Sequence, residues 1–123
     1  GNPRAEKAPN YITYPDACAW LGALWFSKTI QDKDMQRKLK ERFEPLFTTE
    51  KHLMPRMNHV DHNVVGAVPL EIYMQKLGDK KYYDLGMKYA DSQWFLQMLS
   101  QNKKPTPIKV IHGRHAYGLM ICL

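Results

Sequence analysis

The sequence predicts an all-α protein of four helices, and three observations carry that prediction. Apolar residues recur at three- and four-residue spacing through most of the first 94 positions. Strict alternation of polar and apolar residues occurs nowhere, so no strands are expected. Pro, Asp and Gly stand where helices would begin and end. Short connections then pair the helices into two antiparallel hairpins.

Residues 1–13 are polar and contain prolines, which reads as an extended lead-in. Pro15 and Asp16 start the first helix, with Pro in the first turn and an acid near the positive helix end. Ala17, Trp20, Leu21 and Leu24 form its apolar stripe, which Trp25 and Phe26 widen, and Gly22 would admit a neighbouring helix closely. A second helix is expected over about 34–47. Met35, Leu39, Arg42/Phe43 and Leu46 mark its buried side, while Lys38, Lys40 and Glu41 face water. Pro45 should distort its last turn. A loop over 48–60 contains Pro55. A third helix runs from about His62 to Leu77, with Gly78 as its C-cap. Asp79 caps the fourth, where Tyr83, Met87, Ala90 and Trp94 share one face.

At 123 residues the chain is one domain or part of one. No apolar run is long enough to span a bilayer, and no signal-peptide pattern is read at the N-terminus. Gly1 in place of Met reads as a processed or cloning-derived end. Two cysteines make no disulfide framework, and Cys18, in an apolar helical stretch, reads as a buried thiol. The compartment stays open.

The patterning stops at Trp94. From Ser92 to Leu123 there is no Asp or Glu, while Lys103, Lys104, Lys109, Arg114, His112 and His115 accumulate and Pro105 and Pro107 interrupt any helix. Residues 1–94 therefore read as one unit and 95–123 as an irregular tail. The net charge of +6 invites a nucleic-acid reading. Its distribution argues against one. Residues 1–91 hold 14 Lys and Arg against 12 Asp and Glu, a balance of +2, and the other four positive charges lie in the tail.

The densest polar cluster is Asn58-His59-Val60-Asp61-His62-Asn63. His59, Asp61 and His62 are competent metal ligands, but the histidines straddle a loop end and no matching ligand set occurs elsewhere. No metal and no cofactor are expected. Asp61 is either a helix cap among solvated histidines or an active-site carboxylate at a helix mouth.

The neighbours of Asp61 resemble a specific family. The run from Val60 to Trp94, VDHNVVGAVPLEIYMQKLGDKKYYDLGMKYADSQW, is similar to the unsaturated glucuronyl and rhamnogalacturonyl hydrolases of glycoside hydrolase families 88 and 105. The matching elements are Asp61, Gly66, Pro69-Leu70, Tyr73, Gly78-Asp79-Lys80-Lys81-Tyr82 and Ala90-Asp91-Ser92-Gln93-Trp94. Tyr14 to Leu24 is similar to an early helix of the same proteins. The resemblance covers roughly residues 10–94 and implies the N-terminal portion, about two helical hairpins, of a six-hairpin α/α barrel. It implies removal of a 4,5-unsaturated uronic acid from pectin- or glycosaminoglycan-derived oligosaccharides. An Asp general acid/base hydrates the vinyl-ether double bond and the hemiketal collapses, unlike displacement at the anomeric carbon by two carboxylates. Asp61 matches a supporting carboxylate, with His59, His62 and Asn63 as candidate substrate-binding residues. The proton-transferring Asp of the family sits in a later Trp-Ile-Asp-Asp-Met motif, after Tyr-x-Trp-Gln-x-Arg. Neither motif occurs in this chain.

Back-translation offers a reason. Codons can be chosen for Lys109 to Leu123, KVIHGRHAYGLMICL, so that reading one base earlier yields KGYTWQTRLWIDDMF, which contains the missing motif. Gln101 to Lys109 can be read in that frame as EQKAYADK. A frameshift just after Trp94 is therefore expected, leaving an inactive truncated hydrolase whose tail carries no evolved function. Its partner would be an oligosaccharide, with no nucleic acid and no membrane. Helix faces left open by an incomplete ring would favour self-association. The alternative from another class is a non-catalytic helical interaction module.

Overall fold

The computed structural model describes residues 10–57 and 63–101, with side chains described for 10–57 and 63–92. Among these residues the fold is all-α and contains no strand. Four α-helices appear in order: α1 (Tyr14–Thr29), α2 (Lys33–Phe43), α3 (Ala67–Met74) and α4 (Lys80–Gln101). Short 3₁₀ turns cover Glu44–Phe47, Lys51–Leu53 and Val64–Gly66. The principal packing pairs are α1 with α2, α3 with α4, and α1 with α3.

Local chemistry explains the helix ends. Asp16 accepts from the backbone N–H of Thr13 at 2.9 Å and from its hydroxyl at 2.8 Å, closing a capping box around Pro15. Those bonds, the backbone one first, lower the Asp16 pKa. Asp32 caps α2 by accepting from the Met35 N–H at 3.0 Å, so the helix begins slightly before the expected Asp34. Its α-helical part stops at Phe43, and Pro45 tightens the continuation into a 3₁₀ turn, the expected distortion.

Helices α1 and α3 end alike. After α1 the Asp32 N–H donates to Ser27 O at 2.8 Å and the Gln31 N–H to Lys28 O at 3.1 Å. After α3 the Leu77 N–H donates to Ile72 O at 3.0 Å and the Lys76 N–H to Tyr73 O at 2.9 Å. Both are Schellman closures, whose left-handed residue is usually Gly. Here those residues are Gln31 (φ 58°) and Lys76 (φ 62°). The expected C-cap Gly78 does not fill that role, because α3 ends at Met74 and Gly78 has no positive φ. Gly78 is small for another reason: the Tyr82 ring occupies the place of its Cβ.

The core is aliphatic at α1 and α3 and aromatic between the hairpins. Leu21, Leu24, Val65, Val68 and Ile72 are buried together. Phe43 is edge-on to Trp20 at 5.4 Å and to Phe47 at 5.7 Å, and Tyr82 lies 4.8 Å from Phe47. Trp20 also donates its indole N–H to Leu39 O at 3.1 Å, which ties α1 to α2. Cys18 packs partly buried against this core as a free thiol.

Three expected faces are corrected. Phe26 does not widen the buried stripe of α1, since it is 57% exposed. Among the described residues nothing stands near the place of a Cβ on Gly22, so no described helix approaches it closely. On α4 the buried set is Tyr82, Gly86 and Tyr89, one position before the expected Tyr83, Met87 and Ala90. The α4 backbone also continues beyond Trp94 to Gln101, so the loss of patterning at Trp94 is not a helix end. The Trp94 side chain and the residues after Gln101 lie outside those described.

Candidate functional site

The candidate site is framed by two anchored chain segments. Before it, Pro55 is buried and its carbonyl accepts the Tyr89 hydroxyl proton at 2.6 Å. Two residues on, the Met57 carbonyl accepts from the Ser92 hydroxyl. Tyr89 and Ser92 lie three apart on α4 and so on one helix face. Burial pushes the Tyr89 pKa up to about 12, which keeps the hydroxyl a donor throughout the physiological range.

After the site, Val64–Gly66 meets the same helix by backbone approach. A Cβ on Gly86 would stand 2.8 Å from the Gly66 carbonyl oxygen and against the Leu70 side chain. A Cβ on Gly66 would strike Tyr89. Only glycine fits at either position. Tyr89 therefore touches both flanks, Pro55 through its hydroxyl and Gly66 through its Cβ.

Of the four residues singled out in the sequence, Asn63 is described and His59, Asp61 and His62 lie outside the described residues. Asn63 is 3% exposed and precedes the 3₁₀ turn at Val64. Neither its Nδ2 nor its Oδ1 has a hydrogen-bond partner among the described residues. A buried amide without partners costs about 1–3 kcal/mol, so this side chain needs compensation from elsewhere. It is one donor and one acceptor group at the mouth of α3, the position where the sequence placed a substrate-contacting cluster.

A second polar group lies inside the helix layer. Gln75 donates to the Leu24 carbonyl at 3.1 Å and to Glu71 Oε1 at 2.9 Å, and accepts from Gln36 Nε2 at 2.8 Å. Glu71 and Gln36 are buried. This network links α1, α2 and α3, and the sequence reading missed it. The available signal was a polar pair at i,i+4, Glu71 inside an otherwise apolar helix and Gln75 at its C-cap.

The two tryptophans of α1 mostly serve packing. Trp20 is engaged by Phe43 and Leu39, and Trp25 packs half-buried against the core. Trp20 still borders a groove of about 560 Å³ with Tyr11, Asp16 and Arg42. Among the described residues no three His, Cys, Asp or Glu side chains gather as a metal site. No described helix is long and apolar enough to cross a membrane.

No family model, curated protein or solved structure matches this chain.

Proposed function

We propose that the chain is the N-terminal part of a glycoside hydrolase that removes 4,5-unsaturated uronic acid from pectin- or glycosaminoglycan-derived oligosaccharides. In that reading the four helices are two of the six hairpins of an α/α barrel, and Asp61 is the supporting carboxylate. The observation that carries it is the composite motif from Val60 to Trp94, followed by a stretch for which codons exist that, read one base earlier, spell the missing acid/base motif. Asn63, two positions after Asp61, supports it: its buried amide has no hydrogen-bond partner among the described residues, and a group awaiting substrate is one physical account of such an exception. The anchoring of the flanking residues Pro55, Met57 and Gly66 on α4 supports it further, because a catalytic group needs fixed supports on either side in the chain.

The chain with the given tail lacks the proton-transferring Asp and is inactive in this reading. Phe26 near the end of α1 and Ile30 just past it, 57% and 50% exposed, are where a missing hairpin would pack and where copies would self-associate. The test is to restore the displaced frame by a one-base change after Trp94 and express the product. It should consume unsaturated uronyl disaccharides, read as loss of the ultraviolet absorbance of the double bond. Asp61→Asn in that product should lower kcat/KM by about a hundredfold, the scale of a lost acid–base or charge-positioning group. A folded product with no turnover on either disaccharide class would end the hydrolase reading, and a monomeric, cooperatively unfolding original chain would favour an interaction module.

A further inference from the structure

A second groove, of about 440 Å³, lies between the chain following α2 and the first half of α4. Its apolar and aromatic lining is Leu46, Phe47, Met54, Met57, Leu85 and Tyr89. Methionine thioethers adapt to ligand shape and make favourable contacts with aromatic rings. The wall carrying the methionines is fixed, since the carbonyls of Pro55 and Met57 are held by Tyr89 and Ser92. The volume falls in the range of small-molecule sites, about 300–1,000 Å³.

The polar residues bordering this groove are unbalanced. Three lysines, Lys51, Lys81 and Lys88, line it against a single acid, Asp84. Lys81 is engaged by Glu44 and sits over the Phe47 ring at 4.9 Å. Lys51 and Lys88 are exposed and no ion pair among the described residues involves either. The chain beyond Gln101 is an unsuitable occupant, because it adds four positive charges and no acid.

We infer that this groove binds a small amphiphilic carboxylate, its apolar body against Met54, Met57 and Phe47 and its charge between Lys51 and Lys88. A sugar is a poorer occupant, because the floor offers thioethers and hydrocarbon where hydroxyls need hydrogen-bond partners. The inference does not depend on the hydrolase reading: it shares with it only the Tyr89 and Ser92 anchors, and the residues that would contact the ligand are Phe47, Met54, Met57, Lys51 and Lys88.

The probes are phenylbutyrate and its uncharged counterpart phenylbutanol, titrated into the full chain while the Met54 and Met57 methyl NMR signals are followed. Phenylbutyrate should shift both signals saturably through ring currents. Lys51→Gln with Lys88→Gln should weaken its binding about five- to tenfold, as expected for two partly exposed charge contacts. That double variant should leave phenylbutanol binding unchanged, and because both lysines are exposed its fold should be retained. Equal affinity for the two probes in the original chain would overturn the proposal. So would unshifted methionine signals, or phenylbutyrate affinity untouched by the double substitution.

Discussion

The two helix pairs are held together by different means. In α1–α2 the contacts are made by long side chains, with Trp20 reaching Leu39 and Phe43, and the pair keeps a loose outer face with Gly22 in open space and Phe26 in water. In α3–α4 the backbones themselves meet at Gly66 and Gly86, and α3 is buried from Ala67 to Ile72. Side-chain packing tolerates change by repacking, whereas a backbone contact has nothing to move out of the way. The candidate site hangs on the second pair.

Glycine substitutions expose this contrast most strongly. Gly86→Ala should destabilise by about 3 kcal/mol, the upper range for overpacking, because the new methyl meets Leu70 and the Gly66 carbonyl. Gly22→Ala, with nothing near its Cβ, should instead stabilise by about 1 kcal/mol through helix propensity. Chemical denaturation of both variants gives the comparison directly, and equal effects of one sign would break it.

Tyr89→Phe should cost about 1–2 kcal/mol, since it strands the Pro55 carbonyl in the interior. Hydrogen exchange should accelerate over 54–57 more than over α1. A uniform acceleration would mean that Tyr89 is only a packing residue.

The Schellman positions sharpen the comparison from the other direction, because one closes each pair. Gln31→Gly and Lys76→Gly should each raise stability by about 1 kcal/mol by relieving the left-handed backbone. Melting temperatures of the single and double variants should add, as the two caps are separate elements.

A smaller effect concerns pH. Glu44 receives hydrogen bonds from the Lys81 ammonium and the Tyr82 hydroxyl, which hold its carboxyl down at about 2 from an ordinary 4.5. A group depressed in the folded state contributes fully above its unfolded pKa and loses that contribution as pH falls through the folded one. Stability should therefore decline between about pH 4.5 and 2, by only about 1 kcal/mol because the side chain is 39% exposed and screened. In Glu44→Gln this component of the acid decline should vanish.

The same contrast governs how much was legible in the sequence. The start of α1, the Pro45 distortion and the α2 stripe at Phe43 and Leu46 follow from caps and periodicity, which are local. The face of α4 was misplaced by one position because Tyr82, Gly86 and Tyr89 have the same spacing as an equally apolar neighbouring set. A glycine shows in sequence as a weak helix residue, whereas its role here depends on a partner glycine twenty positions away. Left-handed Gln31 and Lys76 carry no signal at all, since other residue types are usual there. At the site, Asn63 was singled out from its neighbours, but its burial depends on packing that periodicity does not report.

The central claim concerns the chain after Trp94, and the coding DNA from Trp94 through Leu123 and onward tests it most directly. An independently sequenced copy should carry a displaced frame reading through Tyr-Thr-Trp-Gln and on to Trp-Ile-Asp-Asp-Met. A sequence in which no displaced frame encodes that motif would contradict the account.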